Sequence, residues 1–529
     1  VGRRREPMQD VELVDVGTDL PLAPEAEDPE AEAARARRVA RRRRALRRWW
    51  PVPVVAALAL VGAQALLDAR EDGRVAARQE VAGVLRTVAP GLPAAHRYSQ
   101  ETASVVLSGI PVGDLRIGVA SPPWDAAREL VALDRDGTQV WSTSLEDGGR
   151  AEPDVGMEYP TCAPDAEPVA TVRCLVLDRG AADAADDSGS WAPAAPSAAR
   201  LVALDAATGE LRATRQVAPM SGWGGADGLQ VLASIADGTL RVSAWDTAAD
   251  RGAPDDGGAA PLWRTDVPLT DPEAAARLFY PPGVSVAPGR VLVQGELGSW
   301  AFDAADGRLQ ASGADYLSVS RTGHLLASGG AGARLLDDDG EPLTDLPGQP
   351  LWLSVDDGSV PGVELVASST SEGRVLVGVD AESGAELWTS PHPRWSDPAA
   401  VLLEGTLYGA DTDGLWALDV ATGREVWRTV VEVSGDGASV MTDGRYVLVL
   451  ARPDALAELG LTVGAAPTAS GRADDGRDPA LSSQRALAAF ALSSGAPAWA
   501  TRLPPGVQGV WPYGGDLLGY GDSDVVVLN

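Results

Sequence analysis

Few residues in this chain could carry chemistry, and they are scattered. The only cysteines are Cys162 and Cys174, and the three histidines, His96, His324 and His392, stand alone. Asn occurs only at Asn529 and Lys nowhere, so all 44 basic side chains are Arg. The patterns that build a zinc site, an activated serine or a Ser–Lys pair (H-x-x-x-H, G-x-S-x-G, S-x-x-K) are missing. Acidic turns remain: Asp134-Arg135-Asp136-Gly137, Asp337-Asp338-Asp339-Gly340 and Asp411-Thr412-Asp413-Gly414. A hard cation takes six to eight oxygens at once. None of these turns continues into a full EF-hand loop, and an Asp that caps its own turn explains Asp-Gly pairs. No metal is expected. The glycine runs "SGWGG" (221–225) and "SGGAGA" (328–333) lack a phosphate-loop context and read as turns.

The cysteines lie in "MEYPTCAP" and "ATVRCLVLD", both strand-like, which predicts a Cys162–Cys174 bridge across a hairpin in an oxidising compartment. A redox-active pair is the alternative.

The elements that must hold these residues announce themselves as a repeat. "LWALDVATGREVW" (415–427) is two apolar segments around a tight polar turn, with Gly423 where the chain reverses. Aligned on its Asp and Gly, it recurs as "LVALDRDGTQVW" (130–141), "LVALDAATGELRA" (201–213), "SWAFDAADGRLQA" (299–311), "ARLLDDDGEPL" (333–343), "LVGVDAESGAELW" (376–388) and "LAAFALSSGAPAW" (487–499). An eighth copy, "LRVSAWD" (240–246), reaches its partner "APLWRTDV" (260–267) across an acidic insertion. The turn positions fall near 134, 205, 246, 303, 337, 380, 419 and 491, a period near 40 stretched by insertions at 180–199 and 460–483. That period belongs to four-stranded propeller blades. Alternating apolar runs upstream, such as "GVSVAPGRVLVQGEL" (283–297), supply the two inner strands, and the motif is the outer hairpin. The tail "GDSDVVVLN" (521–529) is one more strand with no hairpin after it, so it should close the ring by pairing within residues 104–145. The fold expected is all-β: an eight-bladed propeller of four-stranded antiparallel blades, or a seven-bladed one if 333–343 is irregular.

The motif A-x-D-x-x-T-G-x-x-x-W, complete as Ala417, Asp419, Thr422, Gly423 and Trp427, resembles the repeat of the pyrroloquinoline-quinone (PQQ) enzymes. The resemblance spans roughly residues 105–529 and implies that each blade's Trp docks its outer strand on a neighbour. Trp is kept at Trp141, Trp388 and Trp499, while Ala213 and Ala311 replace it and Ala491 replaces the Asp. A buried Trp covers ~200 Å², which suits a docking role. Quinone dehydrogenases of that family use adjacent cysteines above the quinone, a stacking Trp below, and Ca²⁺ held by Glu, Asn and a catalytic Asp. Here the cysteines are not adjacent and no internal Asn exists, so no cofactor and no catalytic residue is expected. The composition, rich in Ala, Gly, Val and Asp, is similar to that of high-GC actinobacterial proteins.

The N-terminal region reads differently. Residues 49–67, "WWPVPVVAALALVGAQALL", are uncharged and follow the Arg-rich run 35–48. This predicts a transmembrane helix with the N-terminus cytoplasmic and the propeller outside, at a cell membrane. A signal peptide cleaved near Ala63-Gln64-Ala65 is the alternative. The divisions expected are a disordered tail (1–48), the membrane helix (49–67), a linker (68–104) and the propeller (105–529). The net charge of −31 argues against nucleic acid. The function expected is a non-catalytic scaffold for a protein, peptide or glycan at the cell surface. An extracytoplasmic quinoprotein-type or other propeller enzyme, and a transmembrane sensor, are the alternatives.

Overall fold

The computed structural model describes residues 51–529 except 94–95, 121–128, 135, 146–160, 165–169, 180–195, 227, 248–259, 276–277, 279, 331, 372, 391–399, 412, 434–439, 465–484 and 522–524, together with 33, 34, 37, 38, 40 and 41. The tail, most of the Arg run and most of both long insertions lie outside the described residues. The chain divides into two compact units, Val1–Gly73 and Arg74–Asn529.

The helix Pro51–Gln79 starts with prolines in its first turn, where the missing N–H costs nothing, and continues through good helix formers. Among the described residues no helix is long and apolar enough to cross a membrane. This corrects the membrane span expected at 49–67 and the single-pass placement built on it. Residues 49–50 lie outside the described residues, as do the side chains of 51–57. The uncharged part of the helix runs from Pro51 to Leu67 before Asp68, Arg70, Glu71, Asp72 and Arg74 intervene. Its seventeen residues rise ~25 Å, short of the ~30 Å hydrocarbon core.

The second unit is a ring of antiparallel sheets, nine among the described residues. Blade 1 comprises Ile110–Val112, Leu115–Ala120, Glu129–Leu133 and Gln139–Ser144. Blades 2 to 8 span residues 161–217, 221–268, 283–313, 316–346, 349–390, 400–430 and 441–502. The first strands of blades 1 and 2, 2 and 3, 3 and 4, and 7 and 8 pack together around the axis. Apolar side chains fill the wedges between blades, with Trp416, Phe302 and Phe490 fully buried. Two blades carry a fifth, parallel strand: Leu353–Asp356 beside the first strand of blade 7, and Val463–Gly464 beside the last strand of blade 8.

The count of eight, or seven, is therefore corrected to nine, for a topological reason. Each of the eight motif hairpins already completes a blade of its own, and 333–343 forms a regular one, blade 5. The tail then finds no unfinished blade within 104–145. Instead Gly509–Tyr513, Asp516–Tyr520 and Val525–Val527 form blade 9, and its outermost strand is His96–Tyr98, paired as His96 with Val527 and Tyr98 with Val525. Closure by both ends of the ring leaves no long open edge.

The chain just before that strand is also built in. Leu85 N–H donates to Thr442 O at 2.8 Å and Arg86 N–H to Gly515 O at 2.7 Å, while Thr501 donates its hydroxyl to Pro90 O. Leu85, Val88 and Leu92 are buried with Met441, Leu448 and Leu487 of blade 8 and Val507, Leu517 and Val526 of blade 9.

Candidate functional site

The motif residues come together at the seams between blades. In the complete copy, Asp419 accepts from the Thr422 amide at 2.9 Å and the Thr422 hydroxyl at 2.7 Å, and the Gly423 amide donates to Asp419 O at 2.8 Å. Gly423 needs its φ of 67°, and its bare face also receives the Trp388 ring of blade 6: a Cβ there would stand 2.5 Å from an indole carbon. Trp388 donates its indole N–H to Val420 O at 2.7 Å. One seam on, Trp427 of blade 7 donates to Leu492 O at 2.9 Å, lies against Gly495, and is followed by Thr429, whose hydroxyl reaches Gly495 O at 2.7 Å. Trp141 makes the same joint with Ala206 O and Gly209 of blade 2, and Trp263 of blade 3 with Ala304 O and Gly307 of blade 4. Ala417 is fully buried in the core between blades 7 and 8.

These joints follow one rule. The indole donates to the main-chain carbonyl just after the next blade's turn Asp and stacks on that turn's Gly. Because the acceptor is backbone, Ala491 can replace Asp without breaking the joint. Trp263 was missed as a docking residue because an insertion separates it from its hairpin; the Trp-x-Thr spacing shared with Trp141 and Trp427 was the available signal. Trp499 makes no such joint: it is half-buried and meets Tyr446 edge-on at 6.3 Å.

Cys162 and Cys174 face each other across the first two strands of blade 2, with Cα atoms 4.1 Å apart, and form a disulfide. The acidic turns are occupied by their own backbones. Asp134 accepts from the amides of Asp136 and Thr138, Asp337 from those of Asp339 and Glu341, and Asp411 from those of Asp413 and Gly414. Hydrogen bonds from Ser383 hold the turn carboxyl of Asp380 below the usual carboxylate range. His96 packs edge-on to Tyr98, His324 closes a turn through its carbonyl to Ser320, and His392 lies outside the described residues.

The residue types that the resemblance assigns to a quinone site are used elsewhere in the ring. The cysteines are locked together in a blade hairpin, and Asn529 accepts from the Leu517 amide at 2.8 Å. Among the described residues no three His, Cys, Asp or Glu side chains converge on a metal position.

The glycine run 221–225 is not a turn, which corrects that reading. It is the first strand of blade 3, Ser221–Ala226. Glycine is required because blade 4 presses against it: a Cβ on Gly222 would lie 1.7 Å from Pro282 O. The run 328–333 does turn, with Gly329 pairing Gly332. Exposed aromatics also stand on or beside axial strands: Tyr316 (57% exposed), Trp352 (71%) and Trp511 (54%).

Residues 371–459 match the family model described as "Outer membrane protein assembly factor BamB". This stretch runs from blade 6 into blade 8 and holds Trp388 with its acceptor Val420, and Trp427 without its acceptor; over it the chain is similar to that family. No curated protein matches the chain. Among solved structures it is similar to BamB from Moraxella catarrhalis, at 16% identity over 82% of this chain and 95% of that one, TM-score 0.36. It is also similar to the quinohemoprotein alcohol dehydrogenase ADHIIG from Pseudomonas putida HK5, at 13% identity over 72% and 77%, TM-score 0.32. A third is a eukaryotic initiation factor, at 10% identity over 79% and 89%, TM-score 0.40. The architecture rests on the strand pairing and not on these superpositions.

Proposed function

We propose, from the match of residues 371–459 to the model of an assembly factor, that this propeller is a non-catalytic scaffold that binds a protein or peptide. The observation that carries the reading is how the motif residues are used. Asp419, Thr422, Gly423 and Trp427 all serve turns and seams, so they make a stiff ring and leave recognition to the axial strands and loops. Function on a propeller lives in such grafted surfaces. Tyr316, Trp352 and Trp511 supply exposed aromatic area of the kind that anchors interfaces.

Two measurements test the proposal. The purified protein, given pyrroloquinoline quinone and Ca²⁺, should show no dye reduction with alcohols or sugars; saturable turnover would replace the scaffold with an enzyme. Proximity labelling in the native cell should mark a reproducible neighbour whose labelling falls when Trp352 and Trp511 are changed to Ser. Labelling unaffected by both changes would remove the axial face from the proposal.

A further inference from the structure

A two-residue hairpin turn of the common kind holds both its residues in the left-handed region, which suits Gly, Asn and Asp and strains longer side chains. Two turns of the ring obey this: Asp237-Gly238, with φ of 50° and 68°, and Gly514-Gly515, with 58° and 83°. The turn between the first two strands of blade 7 does not. Leu403 pairs with Thr406, and between them stand Glu404 at φ 50° and Gly405 at 75°. A strained residue held in place by its surroundings is grounds for seeking a function that needs it.

The Glu404 carboxylate is used by a distant part of the chain. Arg78, in the last turn of the helix Pro51–Gln79, donates Nε to Glu404 Oε1 at 3.1 Å and Nη2 to Oε2 at 2.7 Å. Its Nη1 donates to Gly444 O of blade 8 at 2.8 Å, and Gln79 Nε2 donates to Asp443 O at 3.0 Å. The hydrogen bonds from Arg78 hold the Glu404 carboxyl below the usual carboxylate range, so it is charged at neutral pH. The turn is fixed from behind: Asp357 accepts from the Glu404 amide at 2.6 Å, and the Ser359 hydroxyl accepts from the Gly405 amide at 2.7 Å. An Asp would suit the turn better but is one methylene shorter. Glu supplies reach at the expense of strain.

Further along, the attachment changes character. Val75 is the one buried residue between Arg74 and Glu80. From Gly83, where a Cβ would stand 2.3 Å from Ser354 O, the segment turns apolar and buried: Val84 with Val355 and Val401, then Leu85, Val88 and Leu92. Exposed ion pairs contribute little to stability and exchange readily, whereas buried aliphatic side chains contribute much.

The geometry points to a latch: Glu404 accepts strain in its turn to hold Arg78, docking residues 74–80 on blades 7 and 8 by a contact that releases without opening the ring. The proposal stands apart from the scaffold reading.

The test is pulsed electron paramagnetic resonance on the full chain, with nitroxides on Ala77→Cys and Ala421→Cys, both at exposed positions. The native cysteines are bonded to each other and take no label. The parent should give one narrow distance. Glu404→Gln should broaden it, lowering the ratio of docked to free about fivefold. Glu404→Asn should do the same and, because Asn-Gly suits this turn, leave the urea midpoint at or above the parent's. Arg78→Ala should release the segment to the same extent, and adding Glu404→Asn to it should release no more. A distance unchanged by both Glu404 variants overturns the proposal, since the Gly444 carbonyl would then hold Arg78 by itself. So does a urea midpoint that falls as far in Glu404→Asn as in Leu85→Ala, since the polar and apolar halves would then act as one piece.

Discussion

Besides the apolar cores that both seams share, blades 7 and 8 are joined by a docked indole, whereas blades 8 and 9 are joined by a length of chain that belongs to neither. At the first seam Trp427 is almost fully buried, donates to Leu492 O and stacks on Gly495. At the second, Trp499 has no turn to dock on, because the outer hairpin of blade 9 is made from Val525–Val527 and His96–Tyr98 and has no connecting loop. Leu85, Val88 and Leu92 fill the wedge instead. The difference teaches that the indole joint depends on a continuous hairpin in the following blade. Where the ring closes, another filler takes over.

The largest expected effect lies at the first seam. Trp427→Ala should destabilise the propeller by ~3–5 kcal/mol through lost burial and a cavity, measured by urea unfolding. A loss below ~0.5 kcal/mol would show that the joint contributes nothing.

At the second seam Leu85→Ala should cost ~2–4 kcal/mol, since the side chain is fully buried between blades 8 and 9. Deleting residues 51–73 should leave stability unchanged, because the filler begins after them. If Leu85→Ala is silent, the filler is decoration and the comparison collapses.

A finer contrast uses Phe at both tryptophans. Trp427→Phe loses its bond to Leu492 O and should cost about 1 kcal/mol more than Trp499→Phe, whose indole makes no such joint. Equal costs would mean that burial alone, without the hydrogen bond, sets the seam.

The smallest effect concerns a third kind of seam, between blades 5 and 6, where Thr344 stands against Gly384 in place of an indole and a buried polar group lies further in. Glu364 is buried, accepts from the Thr322 hydroxyl at 3.1 Å, and burial pushes its carboxyl above the usual range despite Thr322, Ser320 and Arg321 nearby. Folded protein therefore holds this proton to higher pH than the unfolded chain does. The group costs nothing below the unfolded pKa of ~4.3, and destabilises increasingly as pH rises from there to the folded value. Glu364→Gln should thus gain stability relative to wild type between pH 4 and pH 7. A relative loss over that range would show that the carboxylate is stabilised where it sits.

The sequence made the eight motif blades legible because all but blade 3 write their turn in contiguous residues, from Asp134 to Ala491. Blade 9 was not legible as a blade, since no turn joins Val525–Val527 to His96–Tyr98. The apolar spacing of Leu85, Val88 and Leu92 looked like linker, for nothing local tells a filler from a tether. The run 221–225 misled for a related reason: glycine marks both a reversal and a close approach, and only the neighbour at Pro282 distinguishes them. The disulfide was legible because both cysteines sat in strand-like segments a short hairpin apart.

The closing blade has a consequence for biosynthesis. His96–Tyr98 leaves the ribosome more than 400 residues before Val525–Val527, its only strand partner among the described residues. At ~5–20 residues per second the early strand waits roughly 20–85 s with an open edge. Until Val525–Val527 emerges the nascent propeller is an unclosed arc, and its arrival both completes the ninth blade and withdraws that edge from other chains.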